Sequence, residues 1–540
     1  MYILYMSPLP IIEKISSGDS SFKYSKNKSS SFLFFFYISF IVLFFIFLGI
    51  RLFHLTIVKG DYYRRLSDEN RIRRIVIEPK RGDIIDRDGE VIATTIIGDA
   101  EEDEDRIVSK RIYNSAEITS HIIGYRQIAD KNELENDNCR TKLKLGDKVG
   151  KKGIEKLYEC NLRGRNGEKL IELDAHGKYL KTLTVLPPED GVSMQIAIDL
   201  DLQKTAYEQI KDKKGAIIAI KPKTGEILAI VSSPSFNPQH FEDNEQDILN
   251  QLLKNEEHPI FNRATEGTYP IGSVIKPFLA AGALEDKKID EDTKIEDTGT
   301  ITAGPLTFGN WYFLEYGKTE GEVDIVKAIK RSNDIFFYRV GEMLGPTRIK
   351  YWSNLFGFGG KTNLQISQQE GTVPSPFWKE EVLNEKWYLG DTYNISIGQG
   401  YMLVTPLQVI QATSVFANDG KLCDLNLLKT DKSNCKSLGL SDKTIDLVRR
   451  GMRDVCSTGG TGWPLFDFSV NSKSIQTACK TGTAESSGKD DKPHAWISVF
   501  APYDNPEIIL TVLVENGGQG SDIAGPIAKE ILKEYFQSKN

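Results

Sequence analysis

The stretch GAIIAIKPKTGEILAIVSSP, at residues 215–234, predicts the centre of the fold. It holds two apolar, β-prone runs, Ala216–Ile220 and Glu226–Val231, and the Pro-Lys-Thr-Gly sequence between them is typical of a turn. Because so short a connection joins the two runs, we expect them to pair as an antiparallel hairpin.

Three further β-prone runs lie near the C-terminus. They are QTACKTGTAE at 476–485, HAWISVFAP at 494–502 and EIILTVLVEN at 507–516, and only YDNP separates the last two. Helical and loop segments fill the chain between Pro259 and Asp467. The predicted fold class is α+β, with a five-stranded antiparallel sheet assembled from both ends of one domain at 191–540. Helices must cover the faces of such a sheet, and the amphipathic segment GPIAKEILKEYFQ at 525–537 suits that position.

An uncharged apolar stretch, SSSFLFFFYISFIVLFFIFLGI at 29–50, precedes this domain. About 20 apolar residues cross a bilayer core, so we predict one transmembrane helix at 29–52. A buried core helix is the disfavoured alternative, because this segment is apolar all round. Four lysines precede it, which favours a cytoplasmic tail at 1–28; they are Lys14, Lys23, Lys26 and Lys28. We therefore expect a single-pass protein of the cytoplasmic membrane whose remaining chain, 53–540, is extracytoplasmic, on the periplasmic side.

A small mixed module is predicted between the membrane and this domain, at 53–190. Its clearest local signal is the turn Asp86-Arg87-Asp88-Gly89, which a β-prone run follows. Residues 99–105, DAEEDED, are an acidic run typical of a solvated loop. No catalytic pattern is visible in the module, so we interpret it as non-catalytic.

The composition excludes one class of function and leaves the state of the cysteines open. The net charge is −7 and no basic stripe with interleaved aromatic residues is present, so nucleic-acid binding is not expected. The six cysteines are too few and too scattered to predict a disulfide scaffold. Cys423 and Cys435 lie twelve positions apart in a polar segment, where a disulfide and two free thiols are both open.

The sequence GTYPIGSVIKPF, at 267–278, places a hydroxyl and an amine one helical turn apart. Proline is tolerated only in the first turn of a helix, so Pro277 predicts a helix that begins at about Gly272 or Ser273. Backbone N–H groups at such a start favour developing negative charge beside Ser273. Lys276 lies on the same face, and a lysine of lowered pKa can activate a serine nucleophile.

Two later patterns supply partners for this pair. Ser332-Asn333-Asp334 lies between a helix and an aromatic run, where Asp334 can assist Lys276 or serve only as a helix N-cap. Lys480-Thr481-Gly482-Thr483 lies in a β-prone run. There Lys480 offers a cation for a substrate carboxylate, the threonines offer hydroxyls, and Gly482 lets a substrate backbone approach closely.

In this order, the three patterns resemble the penicillin-recognising serine acyltransferases. Beyond them, the chain is similar to the elongation-type class B penicillin-binding proteins, the group of penicillin-binding protein 2. The similarity is carried by YPIGSVIKPF, by Asn262-Arg263-Ala264, by RGDIIDRDG at 81–89 and by GTVPSPFWKEEVLNEKWYLGDTYNISIGQGYMLVTPLQ at 371–408. It covers most of 50–530 and is thin at 97–140, where that family usually carries a longer head, so a pedestal (dimerisation-type) domain with a shortened head is expected.

The resemblance implies a penicillin-binding, serine β-lactamase-like transpeptidase domain and D,D-transpeptidation of peptidoglycan stem peptides. Ser273 would attack the penultimate D-alanine, with Lys276 as the base. Ser332 would relay a proton to the leaving amine, and Asp334 would orient Lys276 and balance its charge. The N–H groups of Ser273 and Thr483 would form the oxyanion hole. The terminal carboxylate would bind Lys480, Thr481 and Thr483, the strand at 476–483 would pair with the peptide, and penicillins would acylate Ser273.

The resemblance also implies partners and leaves alternatives. A SEDS-family glycan polymerase and the elongation machinery are the expected partners, and stem peptides and β-lactams are the expected ligands. A division-type class B transpeptidase, a serine β-lactamase and a non-enzymatic β-lactam sensor are the alternatives. No cofactor is expected. No zinc is expected either, because no histidine lies between His258 and His494 and no cysteine between Cys160 and Cys423.

Overall fold

The computed structural model describes residues 30–98, 106–174, 176–486, 488 and 491–539. The predicted cytoplasmic tail at 1–28 and the acidic loop at 99–105 therefore lie outside the described residues. By its internal contacts the chain forms two units, one of Met1–Arg73 with Leu170–Leu183 and one of Arg74–Lys169 with Thr184–Asn540. The domain boundaries predicted from the sequence stay a prediction.

The first unit contains the predicted membrane helix. Helix α1, Ser30–Phe53, continues into a π-helical turn at His54–Val58, and a second helix spans Gly60–Arg71. From Phe32 to Phe53 the side chains are exposed, although almost all are apolar. Within the described residues, Phe32–Val58 is the one helical segment long and apolar enough to cross a membrane, by length and composition alone.

The segment around the acidic loop is built from short strands and short helices. One four-stranded sheet has the order Met194–Gln195, Ile84–Ile85, Val91–Ile97 and Ser109–Tyr113. The remaining strands are Ile72–Ile77, Arg106–Ile107, Arg126–Ile128, Lys148–Gly150, Gly167–Leu173 and Tyr179–Leu186. The helices are Ala116–Ile123, Lys131–Glu135, Gly153–Leu157 and Glu159–Leu162.

A five-stranded antiparallel sheet forms the centre of the second unit, as predicted. Its strands are β1 Gly215–Ile220, β2 Ile227–Ser233, β3 Ala478–Ala484, β4 His494–Ala501 and β5 Ile508–Val514. Their order in the sheet is β2-β1-β5-β4-β3, so the C-terminal strand lies beside the first hairpin and β3 is an edge strand. Every residue of β1, β2 and β5 is buried, which requires that both faces of the sheet be covered.

Helices cover this sheet and carry the predicted motifs. Helix α2, Lys276–Glu285, follows a 3-10 turn at Gly272–Ile275; helix α3 is Ile325–Arg331, α4 is Asp334–Leu355, α5 is Asp442–Val455 and α6 is Gly520–Gln537. The other helices are Leu200–Ile210, Gln239–Glu242, Gln246–Lys254, Trp311–Tyr316, Pro376–Leu383, Leu389–Ser396 and Pro406–Ala417, with a 3-10 turn at Trp463–Leu465. Helix α6, which contains the predicted amphipathic segment, packs on β4 and β5.

Five short strand pairs complete this part of the described chain. They are Tyr269–Pro270 with Leu403–Val404, Ile295–Asp297 with Gly321–Val323, Thr300–Ala303 with Leu306–Gly309, Lys421–Cys423 with Cys435–Ser437, and Ser469–Val470 with Lys473–Ser474.

The start of helix α2 differs in one detail from the prediction. The helical segment begins at Gly272, as expected, but the α-helix itself begins only at Lys276. Pro277 has no N–H group, so it cannot donate to the carbonyl of Ser273 four residues earlier. The N–H of Lys276 donates to that carbonyl instead, which is the 3-10 pattern.

The cysteines are where the sequence was least informative. All six are paired, as Cys139–Cys160, Cys423–Cys435 and Cys456–Cys479. The open question at Cys423 and Cys435 is therefore answered by a disulfide, and the structure adds two pairings that the sequence did not predict. Each bond closes a loop of 12 to 23 residues beside a large apolar core, so the bonds fasten local segments and do not build the fold.

Candidate active site

Ser273 lies in the 3-10 turn that precedes α2, and its side chain is half-buried. The N–H of Gly272 donates to the carbonyl of Gly398 at 2.8 Å. Gly272 has a positive φ of 56°, and a Cβ there would meet the Thr483 carbonyl oxygen at 3.0 Å. The turn that carries Ser273 is therefore seated directly against the end of β3.

Lys276 is fully buried one turn further along the chain. Its Nζ donates to Asp334 Oδ1 at 2.6 Å, to the Ser332 carbonyl at 2.8 Å and to Ser332 Oγ at 3.2 Å. Burial lowers the pKa of Lys276, and the Asp334 carboxylate acts in the opposite direction. A lowered pKa increases the fraction of Lys276 that is a neutral amine, the form that can accept a proton.

Ser332 lies between two lysines. It ends α3 in a left-handed conformation, with φ 53° and ψ 39°, which turns its side chain into the cleft. Its Oγ is 3.2 Å from Lys276 Nζ and 2.9 Å from Lys480 Nζ. A hydroxyl accepts and donates at once, so Ser332 can pass a proton between either amine and a third group.

Asp334 is more than a helix cap. The N-cap of α4 is Asn333, whose side chain accepts from the N–H of Phe336 at 2.9 Å. The Asp334 carboxylate instead accepts from Lys276 and, through Oδ2, from the N–H of Trp311 at 3.0 Å. The cap-only alternative for Asp334 is therefore wrong.

Lys480 completes the cluster from β3. It is almost fully buried, and its Nζ donates to Ser332 Oγ and, at 3.0 Å, to the carbonyl of Thr481. Burial places the pKa of Lys480 well below its usual value; the charge of Lys276 lowers it further and Asp334 opposes both. Thr481 is buried and Thr483 is exposed at the mouth of the cleft.

Gly482 lets the segment around Ser273 pack closely against β3. A Cβ there would meet Val274 Cγ2 at 2.8 Å and the Ile271 carbonyl oxygen at 3.2 Å. These atoms belong to the segment around Ser273, so the missing side chain lets that segment approach β3. The prediction that Gly482 also lets a substrate backbone approach closely stays a prediction.

The eight predicted residues thus come from three separate segments to one cleft, but one contact is missing. Lys276, Ser332, Asp334 and Lys480 form a continuous hydrogen-bonded cluster. Among the described residues, Ser273 Oγ forms no hydrogen bond to Lys276. Contacts of this kind are often long in a free enzyme and tighten when the substrate binds.

Asp297 was missed as a site residue by the sequence analysis, although it is buried and central. Its carboxylate accepts four hydrogen bonds, each 2.9 Å long, from the N–H groups of Gly299 and Glu320 and the side-chain amides of Asn310 and Asn333. Asn310 Oδ1 in turn accepts from the N–H of Asp334 at 3.1 Å. Asp297 therefore fixes the Ser332–Asp334 turn from behind, and no local pattern in DTGTITAGP signals this.

A metal site does not emerge from the described residues. No group of three or more histidine, cysteine, aspartate or glutamate side chains there could hold an ion. The expectation that the protein binds no zinc stays a prediction.

The site has the groups that define a serine acyltransferase. They are a hydroxyl at a helical N-terminus, a buried lysine one turn further on, a second serine, and a lysine on an edge strand of the sheet. Two family models match the chain: "Penicillin binding protein transpeptidase domain" over 215–533 and "Penicillin-binding Protein dimerisation domain" over 106–196. The chain belongs to the penicillin-binding protein transpeptidase family.

Relatives and solved structures agree with this assignment. The chain is 32% identical to peptidoglycan D,D-transpeptidase MrdA of Haemophilus influenzae, over 80% of this chain and 70% of the relative. It is 31% identical to MrdA of Acinetobacter baumannii, over 94% and 87% respectively. It superposes on penicillin-binding protein 2 of Helicobacter pylori, solved in complex with MreC, with a TM-score of 0.75 and 28% identity, covering 87% of this chain and all of that one.

Replacing Asp297 by Asn tests its role as the support of the Ser332–Asp334 turn. An amide offers one acceptor oxygen in place of two, so the four N–H donors cannot all be satisfied. Leaving one donor unpaired costs about 1–3 kcal/mol, which should lower the melting temperature and slow acylation by penicillin. Asp292→Asn, at an exposed carboxylate in the turn that precedes the strand Ile295–Asp297, is the matched control. Wild-type melting and acylation in Asp297→Asn would refute the role.

Proposed function

We propose that this protein is the elongation-type peptidoglycan D,D-transpeptidase of its cell, acting through an acyl-enzyme on Ser273. The observation that carries the assignment of residues is the buried cluster of Lys276, Ser332, Asp334 and Lys480 beside the Ser273 turn. Relatives of this activity match most of the chain. The division-type, β-lactamase and sensor alternatives have no comparable support.

In the acylation step, neutral Lys276 accepts the proton of the Ser273 hydroxyl as its oxygen attacks the carbonyl of the penultimate D-alanine. The new C–O bond forms, and the C–N bond to the terminal D-alanine then breaks. The leaving amine receives a proton from the Lys276 ammonium through Ser332, which contacts that ammonium. Deacylation by the amine of a second stem peptide reverses these transfers and forms the cross-link.

The oxyanion of the intermediate lies between the N–H groups of Ser273 and Thr483. The close contact of the Ser273 turn with the end of β3 supports this placement of the oxyanion, since it brings the two backbones together. One such donor contributes about 3–4 kcal/mol to the stability of the transition state.

The substrate peptide binds along β3 and ends at its threonines. As an edge strand, β3 has one side free to pair with an extended chain. The terminal carboxylate binds Lys480, Thr481 and Thr483. Penicillins reproduce this carboxylate and a reactive carbonyl, so they acylate the same hydroxyl.

Labelling with a fluorescent penicillin tests the nucleophile. Ser273→Ala lacks the attacking oxygen and should lose covalent labelling altogether, while its melting temperature stays near that of the wild type. The control is Ser474→Ala, at an exposed serine, which should label normally. Labelling of Ser273→Ala at the wild-type rate would exclude Ser273 as the nucleophile.

The pH dependence of acylation tests the base. Acylation needs neutral Lys276, so its rate should rise with pH through the lowered pKa of that amine. Because the Asp334 carboxylate raises this pKa against the effect of burial, Asp334→Asn should move the rising limb to lower pH. The same change should reduce the plateau rate, since the amine loses its orienting partner. A limb that stays in place or moves to higher pH would contradict the role of Lys276.

We further propose that α1 anchors the chain with its catalytic domain outside the cytoplasm, beside a SEDS-family glycan polymerase and the elongation machinery. The three disulfides support the location, because such bonds persist in oxidising compartments. The similar penicillin-binding protein 2 of Helicobacter pylori was solved in complex with MreC, which supports a protein partner for this chain.

Exchanging residues 30–58 for an unrelated membrane span tests these partners. The exchanged protein should remain in the membrane and label with penicillin, but it should no longer copurify with the polymerase. Undiminished copurification would exclude this segment as the contact.

A further inference from the structure

The loop Ser457–Gly462 follows α5 and bridges the two sides of the active-site cleft. On one side, Arg331 Nη1 donates to the carbonyl of Gly459 at 2.8 Å. Arg331 directly precedes Ser332, so this bond reaches the proton-relay side of the site. On the other side, the hydroxyls of Thr461 and Thr481 lie 2.8 Å apart. None of the predicted motifs includes this loop.

Both ends of the loop are fixed. Cys456, the residue directly after α5, is bonded to Cys479 of β3, the residue immediately before Lys480. Both sulfurs are buried. The N–H of Gly462 donates to the carbonyl of Val455 at 2.8 Å, and a Cβ on Gly462 would meet the Cys479 sulfur at 2.7 Å. The loop therefore packs directly on the disulfide, and the disulfide holds Thr461 close to β3.

Once a substrate is bound, the hydrogen bond between the two hydroxyls can have only one direction. A carboxylate only accepts hydrogen bonds, so Thr481 must use its single proton on the substrate. Thr481 Oγ can then only accept from Thr461. The resulting chain runs from Thr461 to Thr481 to the carboxylate, and each bond strengthens the next.

We propose that Thr461 is a positioning residue of the carboxylate subsite, and that the Cys456–Cys479 disulfide holds it in place. The inference rests on the proposed function, since it assigns the ligand of Thr481 to a terminal carboxylate. Thr461 acts through Thr481 and does not itself touch the reacting atoms.

Comparing benzylpenicillin with its methyl ester separates this role from a purely structural one. Thr461→Val keeps the shape of the side chain and removes the hydroxyl. It should slow acylation by benzylpenicillin by about fivefold to tenfold, the loss expected for one hydrogen bond between two neutral hydroxyls. Acylation by the methyl ester, which has no carboxylate, should stay within about twofold of the wild type, and Thr461→Ser should restore the rate with the free acid. Intact-protein mass spectrometry gives each rate.

The disulfide is tested in the same assay. Cys456→Ala/Cys479→Ala should show the same selective loss with the free acid, and Cys423→Ala/Cys435→Ala is the matched control that should not. Treating the wild type with a reductant gives a second measurement if the double variant folds poorly.

Each outcome bears on one claim. Equal slowing with acid and ester, or no slowing at all, in Thr461→Val overturns the positioning role. A Cys456→Ala/Cys479→Ala protein that keeps the wild-type preference for the acid overturns the role of the disulfide. Labelling of Ser273→Ala at the wild-type rate would instead remove the proposed function itself, which Thr461→Val leaves untouched.

Discussion

The active site depends on the pairing of the Lys276 ammonium group, which is fully buried, with Asp334 and Ser332. A buried charge is tolerated only when it is paired and its donors are satisfied. Asp334 supplies the opposite charge and Ser332 supplies two oxygens, so the start of α4 must lie beside the first turn of α2. The packing of these two helices is thus set by a polar requirement as well as by their apolar faces.

The need to pair the buried Lys276 also constrains the backbone around the site. Ser332 must adopt a left-handed conformation to face both lysines, and few residues other than glycine, asparagine and aspartate do so without support. That support comes from Asp297, through Asn310 and Asn333. On the other side, the Ser273 turn and β3 approach so closely that a side chain at position 482 has no room. A few close contacts therefore hold a cleft formed by three distant segments.

The sequence predicted those parts of the molecule that have a local pattern. The five strands follow from short apolar runs and turns, and Ser273, Lys276, Ser332, Asp334 and Lys480 follow from motifs of fixed spacing. The start of α2 was located to within a few residues because proline restricts helices in a known way. Asp297 and Thr461 could not be found in this way, since their partners are remote in sequence and neither lies in a pattern of its own. The contact of Gly482 with the Ser273 segment could not be predicted for a related reason: a missing side chain indicates close approach but does not say which group approaches.

The connectivity of the disulfides has a consequence for biogenesis. Each cysteine is bonded to the next one along the chain, in the pairs first with second, third with fourth and fifth with sixth. A chain that leaves a translocation channel from its N-terminus presents its cysteines in that same order. If the domain is exported as proposed, joining each newly arrived thiol to the one still unpaired gives the complete native set without rearrangement.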